Sequence, residues 1–228
     1  MSEHTAPVIT IDGPSGSGKG TVSRAVAHSL GWSLLDSGAL YRLVALAGRK
    51  AGLDLGDGAA LAALAVSLDI RFGSNAAGGE LIWLGREEVT NAIRTEEAGN
   101  DASKVAALVP VRKALLERQR RFALKPGLVA DGRDMGTVVF PLAPLKIFLI
   151  ADAGERALRR YKQLKEKGLP ASLANLSKDI AERDLRDAAR AVSPLQPSED
   201  AVVLDSTGMT IDAVVAQVLQ LAKSRLRI

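Results

Sequence analysis

The sequence predicts an α/β fold, a five-stranded parallel sheet with helices on both faces. Three observations predict it. Short apolar, β-branched runs recur along the chain with the near-continuous character of strands covered on both sides. Stretches with apolar residues at helical spacing separate most of them. Polar clusters stand at the ends of several runs, where an open parallel sheet has its ligand crevice.

Taken in order, Pro7 to Asp12 (Pro-Val-Ile-Thr-Ile-Asp) reads as a central strand. The next stretch is Gly13-Pro14-Ser15-Gly16-Ser17-Gly18-Lys19-Gly20-Thr21. Its glycines can turn successive N–H groups inward around an anion. A helix starting near Lys19 aims its positive end at the same point. Gly13 to Lys19 obeys the P-loop spacing G-x-x-x-x-G-K-[ST], but Gly20 stands where the hydroxyl belongs and Thr21 follows. A Gly/Ser-rich surface turn is the competing reading; strand, spacing and following helix together argue against it. Val22, Ala25, Val26 and Leu30 then mark a helix that Gly31 ends.

Trp32 to Leu35 is a second strand, followed by Asp36-Ser37-Gly38 and a helix marked by Leu40, Leu43, Val44 and Ala47. From Asp54 to Arg94 the character changes. A short helix around Leu61, Leu64, Ala65 and Leu68 precedes Asp69 to Phe72, a Gly/Asn/Ala turn, and Glu80 to Leu84. Alternation of Ile70 and Phe72 with Asp69 and Arg71 suits a half-exposed antiparallel strand. This segment reads as a small inserted lobe on the substrate side. Pro110 opens a helix with Val111, Leu115 and Phe122 on its apolar side. Its other face carries Arg112, Lys113, Arg118, Arg120 and Arg121, mostly solvated, with room for one to turn inward.

Gly127 to Asp131, Leu145 to Ala151 and Ala201 to Asp205 are the remaining strands, and Thr210 caps a last helix built on Val214, Val215, Val218, Leu221 and Ala222. Between the last two strands, Arg156, Arg159 and Arg160 share one helix, Gly168-Leu169-Pro170 makes a turn, and Leu173, Leu176 and Ile180 open another helix. That apolar stripe continues as Asp184 and Asp187, with Arg183, Asp187 and Arg190 on one face. Charges on an inward stripe need partners, and phosphate is the expected one. Two Arg-rich helices joined by a Gly-Pro turn look like a closing lid.

Composition sets the bounds. At 228 residues the chain suits one sizeable domain, or a core with a small lobe. Apolar residues at 47% and charged residues at 25% are those of a soluble globular protein, and no segment approaches the roughly 18 apolar residues of a membrane span. Met-Ser-Glu-His-Thr-Ala-Pro has neither the basic start nor the apolar core of an export signal. Zero Cys excludes disulfides and thiolate chemistry. A cytoplasmic location is expected. The net charge of +4 is compatible with phosphorylated ligands, while two Trp, two Tyr and four Phe offer few stacking platforms for single-stranded nucleic acid.

The strand-end clusters give this a direction. Gly13 to Thr21, Asp36 to Arg42, Asp131-Gly132-Arg133-Asp134 and Asp205-Ser206-Thr207 all fall in the crevice. Phosphoryl transfer explains why so many guanidiniums are wanted: donor and acceptor must be held in line, water excluded and charge spread. One well-placed arginine contributes roughly 10³ to 10⁵ in rate, whereas a surface ion pair is worth about 0 to 1 kcal/mol.

At these residues the chain resembles the bacterial cytidylate kinases, a family of nucleoside monophosphate kinases. The resemblance rests on Gly13 to Thr21, Leu35-Asp36-Ser37-Gly38-Ala39-Leu40-Tyr41-Arg42, Asp131-Gly132-Arg133-Asp134-Met135-Gly136-Thr137, Glu182 to Asp187 through Arg190, and Leu204-Asp205-Ser206-Thr207. It implies a P-loop NTPase-type core (about 1–53, 95–152 and 191–228), an inserted monophosphate-binding lobe (about 54–94) and an Arg-rich helical lid (about 153–190) in a single kinase domain. It implies transfer of the γ-phosphoryl group of ATP to CMP or dCMP, with Mg²⁺; a P-loop kinase acting on UMP or another small acceptor is the alternative. Gly13 to Thr21 and Arg159 fall to ATP. Ser37, Arg42, Arg133 and Arg190 fall to the acceptor side, the arginines on its phosphate. Ser103, Arg112 and Asp134 fall to cytosine, Arg183 and Asp187 to ribose, and Asp131 to the substrate side. Lys19, Arg133, Arg183 and Arg190 are the expected catalytic groups. Thr21 is left to donor phosphate or to Mg²⁺. The expected partners are ATP and CMP or dCMP, with no nucleic acid and no membrane, for a monomer. A nucleotide switch without turnover and a basic nucleic-acid binder are further readings, but the first leaves the Arg-rich helices unexplained and the second, which predicts steep salt dependence, meets basic residues scattered over several elements and few aromatics. Independently, a carboxylate such as Asp134 suits the cytosine N4 amine, a donor where uracil has an acceptor.

Overall fold

Alternation along the first strand explains how the sheet is covered. The computed structural model describes residues 6–75, 79–166, 168, 170–190 and 192–226. Strand β1 (Val8–Asp12) is buried along its length. Ile9 and Ile11 turn to one face, into a core with Val22, Val26 and Ala27 of helix α1 (Lys19–Leu30). Thr10 and Asp12 therefore turn to the other face.

The chain forms two compact units, Met1–Asp36 with Arg120–Ile228, and Ser37–Gln119. The first holds β1, α1, β2 (Ser33–Asp36) and, further along, β6 (Leu128–Gly132), β7 (Leu145–Ile150), α6 (Ala153–Glu166), α7 (Leu173–Ala188), β8 (Val202–Asp205) and α8 (Ile211–Leu226). Its five strands run parallel in the order β2-β6-β1-β7-β8. All strand ends with polar clusters thus lie along one edge. Val214, Val218 and Ala222 of α8 join the core beneath α1, and Thr210 caps α8 by accepting from Ala213 N at 3.2 Å.

The second unit holds α2 (Ser37–Lys50), α3 (Gly58–Ser67), an antiparallel sheet of β3 (Ile70–Ser74), β4 (Glu80–Leu84) and β5 (Glu87–Glu88), then α4 (Glu96–Val105) and all but the last residue of α5 (Val109–Arg120). Ala39, Leu43, Ile82, Val89 and Ile93 form its buried cluster.

Several expectations need correction. β2 and β6 begin and end one residue later than composition suggests, because the ladder pairs Asp36 with Asp131 and Asp12 with Gly132, drawing polar loop residues into the strands. α5 begins at Val109, not Pro110, and ends before Phe122. Leu173 is 43% exposed and leaves the buried stripe to Leu176 and Ile180. Helix α4 was not expected from the sequence. Thr95 caps it, accepting from Ala98 N at 3.1 Å, ahead of Glu96 and Glu97 in the first turn. That signal is hidden by Gly99-Asn100-Asp101, which reads as a breaker. The Met1 to Thr5 part of the N-terminal stretch, positions 76–78 of the Gly/Asn/Ala turn and Leu169 of the Gly-Pro turn lie outside the described residues. Among the described residues no helix is long and apolar enough to cross a membrane.

Candidate active site

The loop between β1 and α1 is built for close approach. Gly13 has φ 152°, and any Cβ there would collide with the Leu149 carbonyl oxygen of β7. Gly18 caps α1 at φ 89° in the left-handed region, with no side-chain cap, so the helix begins on bare backbone N–H groups. Lys19 is buried and donates from Nζ to Pro14 O at 2.9 Å. Burial pushes its ammonium down to about 7; Arg133 pushes the same way, and Asp131, Asp187 and Asp36 pull back. These groups therefore share one electrostatic neighbourhood with Lys19. Thr21, by contrast, is exposed at the first turn of α1.

Arginines from α6 and α7 close on the loop. Arg156 Nη1 donates to Ser15 O at 3.0 Å and Arg159 Nη1 to Ser17 O at 3.2 Å. Arg183 Nη1 reaches Ser15 Oγ at 3.3 Å. Arg159 also binds Ser206 after β8, with Nη2 donating to Ser206 O at 2.6 Å. Arg160 instead turns to its helix neighbour Gln163 at 2.5 Å.

The carboxylates of the α7 stripe find their partners within the chain, where phosphate was expected. Asp184 accepts two bonds from Arg156, at 3.1 and 2.6 Å. Asp187 accepts from Arg133 Nε at 2.8 Å and is also bonded by Arg190 Nη2. Burial alone would push Asp187 up, but Arg133 and Arg190 outweigh it and hold the carboxyl below its usual range. One carboxylate thus gathers two of the three guanidiniums assigned to acceptor phosphate.

Asp12 escaped the sequence reading. Its Oδ1 accepts from Met135 N at 2.9 Å and its Oδ2 from Gly136 N at 2.8 Å, at the start of a π-helical turn, Met135–Val139. Burial pushes its carboxyl up to about 7 despite these two bonds, with Asp134 and Asp131 adding repulsion. A charged residue closing an apolar strand was the available signal. Arg156 was seen only as one arginine of a helix; its buried side chain ties β7, α7 and the loop together.

In the second unit, Ser37 donates to Gln119 Oε1 at 2.7 Å, a fully buried partner that no local pattern announced. Arg42 donates to Ile93 O at 2.6 Å. Arg112 is the basic residue of α5 that turns inward: it is buried, donates to Ala106 O at 2.9 Å and stacks 5.8 Å above the Tyr41 ring. Ser103 is buried on α4.

Among the described residues no three His, Cys, Asp or Glu side chains are grouped to hold a metal ion. A Cβ at Gly20 would stand 3.1 Å from Asp131 Oδ2, so a P-loop serine or threonine in this place would crowd that carboxylate.

A family model described as cytidylate kinase matches residues 9–224. A cytidylate kinase of Pseudomonas savastanoi pv. phaseolicola is 61% identical over 215 residues, 94% of either chain. One from Methylococcus capsulatus is 54% identical over 222 residues, covering 97% of this chain and 99% of its own. Among solved structures, an uncharacterized protein from Eubacterium ventriosum has the same fold, with a TM-score of 0.53 at 10% identity over 96% of this chain and 99% of that one.

Proposed function

The chain belongs to the cytidylate kinase family, and from that membership we propose that it transfers the γ-phosphoryl group of ATP to CMP or dCMP, giving ADP and the diphosphate. The observation that carries the reading is the Asp187 bridge: the guanidiniums of Arg133 and Arg190 are gathered on one buried carboxylate within electrostatic reach of Lys19 and the anion loop. A site for one phosphate needs no such second cationic pair. The direct test offers CMP, dCMP, UMP and AMP with ATP in one coupled assay; turnover of UMP alone would sink the cytidylate reading.

The residue roles follow. Gly13 to Thr21 cradle the triphosphate, Lys19 reaches its outer phosphates, and Arg159 flanks the nucleotide from α6. Arg133 and Arg190 take the acceptor phosphate with Arg42, and Ser37 adds a hydroxyl. Arg183 and Asp187 take the ribose; Ser103, Arg112 and Asp134 read the base, with Asp131 on the substrate side. Residues 54–94 serve as the acceptor lobe and 153–190 as the lid that excludes water.

Mg²⁺ fits as a metal arriving on ATP. It keeps water and phosphate oxygens as most of its ligands, and Thr21, exposed at the first turn of α1, would form the chain's share. Bound there, it would neutralise charge on the transferring phosphates.

Asp134→Asn presents a donor as well as an acceptor to the base. The preference for CMP over UMP is expected to fall about tenfold or more, read as the ratio of kcat/KM values. Lys19 supplies a pH signature. With its ammonium at about 7, Lys19 is mostly neutral at about pH 8, and a bound polyanion restores its charge. ATP binding is therefore expected to take up as much as about one proton there. Calorimetry in buffers of different ionisation enthalpy reads this uptake, which should fade below about pH 6 and disappear in Lys19→Met.

A further inference from the structure

We infer that Asp12 is a positioning residue for specificity: by capping the turn at Met135 and Gly136, it keeps the Asp134 carboxylate out of that cap and aimed at the base. This rests on the reading of Asp134 given above.

An aspartate immediately before a helical turn ordinarily caps it with its own side chain. Asp134 stands at that position, with φ −143° and ψ 24°, and makes no such bond. The N–H groups of Met135 and Gly136 are taken by Asp12, more than a hundred residues earlier, at 2.9 and 2.8 Å. Two acceptor oxygens on one rigid carboxylate meet two successive donors, so the turn is fixed in direction as well as in place.

The anchor is itself held within the sheet. Asp12 is paired in the sheet with Gly132 on one side and Phe148 on the other. The turn also rests on the sheet at Gly136, where a Cβ would lie 2.9 Å from Thr10 Oγ1 and 3.2 Å from Lys146 Cδ. A Cβ there would force the Thr10 side chain or the turn itself to shift. Arg133 and Asp134 lead directly into the turn, and Gly13 directly follows Asp12. One residue thus fixes the start of the donor loop and the end of the acceptor-reading segment. π-helical turns occur often at functional sites, and this one begins where the proposed base contact ends.

Asp12→Asn keeps the volume but sets an amide N–H against one of the two backbone N–H groups. Asp134 is then the nearest replacement acceptor for the Gly136 N–H. The expected result is a fall of about tenfold in kcat/KM for CMP, with the CMP-over-UMP preference falling alongside and KM for ATP changing less than about twofold. Gly136→Ala lifts the same turn without altering any charged group and should move the same ratios in the same direction. If Asp12→Asn does not fold, Gly136→Ala decides. An unchanged CMP-over-UMP ratio, or a KM for ATP that rises in step with that for CMP, overturns the inference. Wild-type protein in the same assay keeps the outcomes apart: failure to form CDP there overturns the proposed reaction, whereas an active wild type beside an unselective effect overturns only the role of Asp12.

Discussion

Lys19→Met is expected to lower kcat by about 10² to 10³ while the protein stays folded. The neighbouring cations cannot substitute. Arg156 is held by Ala151 O, Ser15 O and Asp184, and Arg159 is divided between Ser17 O and Ser206. These arginines shape the loop from outside, whereas Lys19 reaches back over it to Pro14 O. Stability should respond in the opposite sense to rate. Burying an ammonium whose pKa has fallen to about 7 costs free energy that a methionine of similar length does not incur. Steady-state kinetics and a melting curve on the same preparation check both halves. A variant that loses rate only because it has unfolded would show a lower Tm, whereas Lys19→Met should show an equal or higher one. The pH dependence follows from the sign of the shift. Between about pH 7 and 10.5 the unfolded chain binds more protons at this position than the folded one, so Lys19 makes stability rise with pH there. That slope should flatten in Lys19→Met.

The parts that could be read in the sequence are those whose physics is local. A central strand covered on both faces has to be apolar along its length, and β1 and β6 are buried throughout. An anion loop needs glycines at fixed spacing, and a helix start needs a cap such as Thr210. Partners distant in sequence leave no such trace. Arg156 meets Asp184 across 28 positions, Arg133 meets Asp187 across 54, and Asp12 meets Met135 across 123. The helical spacing on α7 puts Asp187 on the buried side with Ile180 and Asp184 at its half-exposed margin, but does not say what they meet. Gly20 is an intermediate case. As a departure from the P-loop pattern it was visible at once, but its reason, the Asp131 carboxylate standing beside it, required the β1–β6 pairing.

Arg133→Ala should lower kcat/KM for CMP by about 10³ or more, with KM for ATP little changed. Its effect on the transferring phosphate is separable from its hold on Asp187. Removing Arg133 leaves Asp187 with Arg190 as the guanidinium bonded to its carboxylate. Burial, which already opposes ionisation of Asp187, then meets less resistance, so the carboxyl moves back up toward its usual range. A depressed carboxyl contributes stability above its unfolded pKa of about 3.8 and loses it as pH falls through the lower folded value. The variant should therefore be less stable than the wild type at neutral pH, and the difference should narrow as the medium is acidified. Asp187→Asn supplies the complementary arm. It removes the same ion pair while keeping the guanidinium, so it should reproduce the stability loss and its pH dependence with a smaller fall in kcat. If both variants lose rate equally, catalysis needs Asp187 itself, through its ion pair with Arg133 or its contact with the ribose. If Arg133→Ala loses far more, the guanidinium acts on the phosphate directly.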